Sequence, residues 1–239
     1  METRHLCTVK EMGHIFYKEL YFYPGNTPTF GTIRTYTPPD FEGLIRLQEE
    51  CFPPPFPSEL HWDVEQLQNH VTLFPDGALC AEVDGKLVGS ITSLIVREED
   101  YAEHTWATIT DDGMIRNHNP QGDALYVVDL CVSPEFRGQG IGSKLMSSLY
   151  EVTTAYRLKK LFGGVRMPGY AKVADQLTPH EYLEDILSGK RTDPIVTMLM
   201  KSGRRPIKLL PDYIDDDQSK GYAVLMEWAN PILSESNIP

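Results

Sequence analysis

Two hydrophobic periods divide the chain: alternation at every second residue, which marks half-buried strands, and recurrence every three to four residues, which marks a helix face. Thr32–Thr37 alternates as a strand. Behind Pro38-Pro39-Asp40, Phe41, Leu44, Ile45 and Leu47 recur at helical spacing and predict a helix over 40–51. The run FPPPFPSE at 52–59 forbids regular helix, because each proline lacks an amide donor and restrains its predecessor. Ser58 is expected to cap a second helix over 58–70, with His61, Trp62, Val64 and Leu67 on its inner face. Ala78–Val83 and Lys86–Val96 are apolar strands around Asp84-Gly85, the two-residue signal of a type I′ hairpin.

Residues 97–124 are polar and rich in Gly, Asn, Asp and Pro, so they are expected as a long excursion kept for binding. Leu125–Val132 is an apolar strand interrupted only by Asp129. Ile141, Leu145, Leu149 and Val152 place a helix over 137–157, and Lys160–Val165 is the next strand. Residues 168–190 read as an insertion with a helix start at Thr178-Pro179-His180-Glu181. A helix over 193–201 and closing strands over 207–214 and 222–228 follow, the strands separated by the acidic DDDQSKG (215–221). At the other end, IFYKELYFY (15–23) before Pro24-Gly25-Asn26 reads as an added strand or pair of short strands. The organisation predicted is an N-terminal extension (1–30), one domain over 31–229 with an insertion near 168–190, and a loose tail (230–239). Its class is α/β: a mixed, twisted sheet of about seven strands with helices on both faces.

Composition narrows the partners. Among 239 residues, 22 Lys+Arg against 34 Asp+Glu give a formal charge of −12, a field that repels phosphate backbones and attracts amines. The basic clusters RLKK (157–160) and KSGRR (201–205) are short and read as solvated helix ends, so no nucleic-acid partner is expected. Cysteines 7, 51, 80 and 131 form no CxxC and suit a reducing compartment. The N-terminus has no apolar signal core, and no run of about 18 apolar residues occurs, so a cytoplasmic chain without membrane attachment is expected. There is no HExxH, and His61 and His70 fall on different faces of their helix, so no metal is expected.

The chemistry concentrates in LYVVDLCVSPEFRGQGIGSKLMSSLY (125–150), where an apolar strand passes through a proline turn into a glycine-rich bend that opens a helix. Gly138, Gly140 and Gly142 let the backbone approach a ligand, and the first amides of the new helix have no intrahelical partner, so the bend suits a phosphate. A Walker A loop would need glycine at 143, which is Ser143. A dinucleotide fingerprint needs G-x-G-x-x-G, whereas Gly138–Ser143 offers G-x-G-x-G-x.

The remaining pattern, R-G-Q-G-I-G behind V-x-P-E-F, resembles the diphosphate turn of the GNAT superfamily of acetyl-coenzyme A-dependent N-acetyltransferases. The similarity spans roughly residues 31–229. Segments 104–126, 163–203 and 208–228 resemble more narrowly the GNAT domain that precedes a nitrilase-like carbon–nitrogen hydrolase domain in some bacterial proteins. That hydrolase does not follow here, so the chain is expected to be a stand-alone relative or the domain alone. The resemblance implies the GNAT fold, acetyl-CoA as co-substrate, and direct attack by an amine of a small molecule or protein within a ternary complex. It further implies that Leu130, Cys131 and Val132 offer backbone groups to the pantetheine arm. By the same resemblance Arg137, Gly138, Gln139, Gly140, Ile141, Gly142 and Ser143 wrap the diphosphate.

Acetyl transfer needs a group to take the amine's proton and one to receive the departing thiolate. Asp129, Tyr126, Glu103, His104 and His118 are the candidates for the base. Asp129 stands out, since a carboxylate among Val127, Val128, Leu130 and Cys131 needs a partner or a task. Some family members carry a carboxylate where Tyr126 stands, and a β-bulge would bring 126 and 129 to one face. By resemblance the thiolate's partner is a tyrosine after strand 160–165, either Tyr170 or Tyr182. Arg166 suits a substrate carboxylate, a coenzyme phosphate or an acid of the insertion. Competing expectations are transfer of another acyl group and a catalytically silent acyl-CoA-binding module; a homodimer is a further expectation.

Overall fold

The computed structural model describes residues 16–23 and 27–233. The expected turn at Pro24–Asn26, residues 1–15 and the last six residues of the expected tail lie outside the described residues. Eight strands form one sheet: β1 (Tyr17–Phe22), β2 (Thr29–Thr35), β3 (Ala78–Val83), β4 (Lys86–Val96), β5 (Ala124–Val132), β6 (Lys160–Arg166), β7 (Arg205–Leu210) and β8 (Ala223–Ala229), in the order β1-β2-β3-β4-β5-β6-β8-β7. The helices are α1 (Phe41–Cys51), α2 (Val64–Leu73), α3 (Trp106–Thr110), α4 (Ile141–Ala155), α5 (Pro179–Leu187) and α6 (Val196–Lys201).

Seven of these strands make up the sheet predicted for the domain, and the eighth is the strand expected to be added ahead of it. The extra strand is β1, cut from the aromatic run at 15–23: it pairs antiparallel with β2, buries Phe22 and joins α4 through the Lys18–Glu151 ion pair. The hairpin at Asp84-Gly85 has positive φ at both positions, 50° and 74°, as a type I′ turn demands.

The second helix starts later than its sequence suggests. Ser58 opens only one 3₁₀ turn, and His61 is extended. The cap is Asp63, whose carboxylate accepts from the Gln66 amide at 2.8 Å while the Gln66 side chain accepts from the Asp63 amide at 2.9 Å. This phase buries Leu67 and leaves Val64, expected inside, exposed. The excursion at 97–124 is likewise not a solvated loop: Trp106, Ile109 and Ile115 are buried, and Trp106 packs on Trp62 with ring centres 6.3 Å apart.

α1 covers one face of the sheet over β4 and β5, and α4 covers the other across β3, β4, β5 and β6. Helix and sheet meet closely at Gly89, where an added Cβ would lie 3.1–3.2 Å from Leu145 and Ile141. One seam in the sheet is short. β5 and β6, its one parallel pair, are joined only at Ala124–Lys160, Leu125–Leu161 and Tyr126–Phe162. Beyond that point β5 continues to Val132 beside β4 alone, and β6 continues to Arg166 beside β8 alone. The sheet therefore forks, and one edge of β5 is open from Val127 onward.

Candidate active site

The fork presents a carboxyl. Thr92 faces Asp129 across β4 and β5, but Ser93 faces Val127, so Val128 is an extra residue and β5 bulges. The bulge turns Tyr126 and Asp129 to the same face, that of α1. Trp106 supports it from α3, its indole N–H donating to the Val128 carbonyl at 3.0 Å. Asp129 is partly buried and accepts from Gln48 Nε2 of α1 at 2.7 Å. Burial pushes its carboxyl up to about 7, against the lowering influence of Gln48, the Arg166 charge and the Leu130 amide.

Leu130, Cys131 and Val132 lie on the open edge of β5, where their backbone can pair with an extended ligand. The Cys131 thiol itself is buried beneath α1, 3.3 Å from Ser90 Oγ and 3.8 Å from Gln48 Nε2. Its proton is held well above the usual thiol range by the Cys51 contact and by burial. This is a packed thiol rather than a nucleophile.

The strand runs on into the bend. Gly138 and Gly140 have φ of 77° and 82°, and a Cβ at either would meet nothing within 4 Å. Gly140 caps α4 without a side-chain bond, and the first helical bond is Lys144 N–H to the Gly140 carbonyl. The amides of Gly138, Gln139, Gly140, Ile141, Gly142 and Ser143 have no hydrogen-bond partner among the described residues. An open, positively polarised cradle at the end of an open strand edge fits a diphosphate followed by a pantetheine arm. The Arg137 side chain is spent elsewhere, on the Val132 carbonyl at 3.1 Å and the Cys51 carbonyl at 3.3 Å, and ties the bend to the end of α1. Beside the cradle, α4 and α6 enclose a cavity of about 740 Å³ lined by Ser143, Ser147, Met198 and Lys201.

The other sequence-selected residues divide sharply. Tyr126 is buried at the closed end of the fork and shares a very short hydrogen bond with the hydroxyl of Tyr213, which lies against Gly164 of β6. Tyr170 donates to the Leu177 carbonyl at 3.1 Å within the insertion, and Tyr182 donates to Asp193, just beyond it, at 2.9 Å. Arg166 pairs in bidentate fashion with Asp216 at 2.7 and 2.9 Å and lies over the rings of Phe56 and Phe52. His118 accepts from the Ile95 amide and stacks on Phe74, and burial pushes its titration down to about 4. His104 is bound to the Tyr101 carbonyl at 2.7 Å. Glu103 is exposed and pairs with Lys208. Of the candidate bases, Tyr126 closes the buried end of the fork and Asp129 stands where the two strands part.

Gln48, Trp106 and Tyr213 were not among the site residues expected from the sequence. Gln48 did leave a signal, since it sits one turn after Leu44 in the buried stripe of α1, where an amide needs a reason. Among the described residues, no three His, Cys, Asp or Glu side chains converge to hold a metal ion, and no helix is long and apolar enough to cross a membrane.

An α/β sheet forked beside a free-amide bend defines a fold that binds a nucleotide-linked thioester. Comparison gives the lineage: the model of the acetyltransferase (GNAT) family matches residues 41–174, and the chain belongs to that family. It is accordingly an acyltransferase that draws its acetyl group from acetyl-CoA. The uncharacterized N-acetyltransferase YkwB of Bacillus subtilis (strain 168) is 49 % identical over 217 residues, which are 90 % of this chain and 96 % of that protein. The probable hydrolase YhcX of the same organism is 36 % identical over 200 residues, 83 % of this chain and only 38 % of its own length. Among solved structures, the loading GNATL domain of CurA from Lyngbya majuscula superposes with a TM-score of 0.71 at 22 % identity, covering 84 % of this chain and 98 % of that one.

Proposed function

We propose that the chain acetylates an amine of a small molecule or a protein by direct attack within a ternary complex, with Asp129 as the proton acceptor. The carrying observation is continuity: the free amides of 138–143 lead along the open edge of β5 to Leu130, and Asp129 stands next to it at the fork. In this arrangement the amides hold the diphosphate, and the backbone of Leu130, Cys131 and Val132 holds the pantetheine arm. The thioester then comes to rest beside the bulge.

Most amines arrive as ammonium ions, and the acidic chain favours their approach. The ammonium first gives one proton to solvent, and Asp129 takes the second from the nitrogen as it attacks. The new C–N bond forms as the C–S bond breaks, the carbonyl returns, and coenzyme A leaves as thiolate to be protonated by water. A carboxyl that titrates near 7 suits this task better than an ordinary aspartate does, because it is a stronger base that is still partly ionised at neutral pH. Tyr126 and Tyr213 close the apolar end of the fork, and Tyr170, whose hydroxyl is already given to Leu177, is assigned no step. The buried free thiols of Cys51, Cys80 and Cys131 support a reducing, cytoplasmic setting.

The test is release of free coenzyme A thiol from acetyl-CoA over a panel of primary amines. Amine-dependent release that Asp129→Asn abolishes supports the assignment. Coenzyme binding by calorimetry without release on any amine would instead support a silent acyl-CoA-binding module, and release unaffected by Asp129→Asn would remove Asp129 from the chemistry.

A further inference from the structure

The last turn of α1 touches both prongs of the fork. Gln48 donates to Asp129 of β5, and Phe52, whose amide closes that turn on the Gln48 carbonyl, lies under the guanidinium of Arg166 on β6. The two charged side chains share one face of the sheet. On β6, Phe162, Gly164 and Arg166 alternate to the side of Tyr126: the Tyr126 and Phe162 rings stand 5.1 Å apart, and a Cβ on Gly164 would strike the ring of Tyr213, the hydrogen-bond partner of Tyr126. The bulge in β5 has turned Asp129 to that side as well. Carboxyl and guanidinium therefore flank the gap where β5 and β6 part, near enough for the Arg166 charge to act on Asp129.

Arg166 is only partly spent on the protein. A guanidinium carries five N–H bonds. Nε and Nη2 donate to Asp216, and Nη2 also donates to Gln218 Oε1 at 3.3 Å. Both hydrogens of Nη1 lack an acceptor among the described residues, and the protein does not enclose that atom. Asp216 is not satisfied by Arg166 alone, since its oxygens also accept from the Gln218 and Ser219 amides at 3.2 and 3.0 Å. The rings of Phe56 and Phe52, 4.8 and 5.5 Å from the guanidinium carbon, hold its plane, so an anion meets it edge-on at Nη1. Asp215 and Asp217 beside Asp216 are exposed, and water screens their charge. We propose that the acceptor is a free amino acid, its amine meeting the thioester and Asp129 on the β5 prong and its carboxylate accepting from Arg166 Nη1 on the β6 prong. The inference rests on amine acetylation at the fork and narrows its substrate class. A lysine side chain in a protein has no carboxylate beside its amine, and a protein's N-terminal residue has its own carboxyl tied in a peptide bond, so either leaves Nη1 unmet. The bonds exchanged stay the same: C–N forms, C–S breaks, Asp129 takes the proton that the attacking nitrogen loses, and coenzyme A leaves as thiolate.

The experiment compares thiol release from acetyl-CoA, per neutral amine, for glycine, β-alanine, L-leucine and L-phenylalanine. Each is set against its carboxamide and against the alkylamine it leaves on decarboxylation. The best amino acid is expected to exceed both analogues at least about 10-fold in kcat/KM, the worth of a charge-assisted hydrogen bond. Arg166→Lys keeps a cation for Asp216 and removes Nη1. In that variant the advantage is expected to vanish, mainly through the KM for the amino acid, with the KM for acetyl-CoA unchanged; urea unfolding checks that it folds, and if it does not, the wild-type ratio decides alone. Amino acids no better than their analogues, or an advantage that survives in Arg166→Lys, overturn the carboxylate assignment and leave amine acetylation standing. Turnover confined to peptide amines, tested with a short peptide, overturns it as well. Release with no amine at all overturns amine acetylation at the fork and this inference with it.

Discussion

The indole of Trp106 donates to the carbonyl of Val128 at 3.0 Å, and Val128 is the residue by which β5 slips against β4. A bulge leaves a carbonyl outside the ladder; α3 satisfies it and so fixes which side chains β5 turns toward α1. Trp106→Phe keeps an aromatic ring and removes the donor. It is expected to cost about 1–3 kcal/mol in urea unfolding and to lower kcat more than it alters the KM for acetyl-CoA. Unchanged stability and turnover would contradict the bracing role.

Gly140→Asp places a carboxylate in the bend proposed to hold the diphosphate, at a residue with φ of 82°. Coenzyme affinity by calorimetry is expected to fall at least about 100-fold, since like charge replaces an open cradle. The strain of a side chain at positive φ costs about 1 kcal/mol and is controlled with Gly85→Ala, where φ is 74° and the space is also open. That remote variant is expected to lose the same stability and keep its affinity. Intact binding in Gly140→Asp would show that the phosphates lie elsewhere.

Asp129 titrates near 7 in the folded chain, against about 4 when unfolded. The folded state therefore holds the extra proton between these values, and the contribution of this carboxyl to stability falls as pH rises from 4 to 7. Asp129→Asn is expected to be more stable than the wild type at pH 8, by on the order of 2 kcal/mol, and nearly equal at pH 4. Its kcat falls about 100-fold or more. A variant less stable at pH 8 would indicate that the carboxylate is held by its partners rather than strained.

His70 and His118 act in the opposite sense. Both are pushed down to about 4 by burial, so the unfolded chain binds the extra protons and stability is lost as pH falls from 6.5 toward 4. Two such rings outweigh one Asp129 and leave a net loss of about 1–2 kcal/mol between pH 7 and pH 5. Urea midpoints against pH are expected to show this, with a steeper fall in Asp129→Asn and a shallower one in His118→Gln. A wild-type midpoint that rises on acidification would mean that the two rings do not both stay neutral.

Asp216 accepts from Arg166 and from the amides of Gln218 and Ser219, and so ties the loop at 211–221 to the end of β6. Asp216→Ala leaves a partly buried guanidinium without its carboxylate and is expected to cost about 3–5 kcal/mol. Tryptic cleavage after the exposed Lys220 is expected to accelerate in parallel. Equal cleavage in variant and wild type would show that the loop is held by other contacts.

Much of this architecture was legible because local chemistry and tertiary demand agree. Asp84-Gly85, the glycine bend and the Thr178–Glu181 cap each specify one backbone geometry, and each adopts it. Ser58 was the expected cap, but the helix starts at Asp63, whose reciprocal bonds with Gln66 three residues on fix a phase that buries Leu67. In the site, Asp129 announced itself as a lone charge in an apolar strand. The two tyrosines expected after β6 look equally available in sequence, but their hydroxyls are consumed by Leu177 and Asp193, a fact of packing alone. Arg166 was legible as a residue with an anion to meet; that the anion is Asp216 follows from the loop's path.

Three rungs between β5 and β6 hold five strands to the other three. On the proposed coenzyme placement, a pantetheine tail along the bare bank of β5 would act as a temporary ninth ribbon, giving that edge the backbone partners that β6 withholds from it.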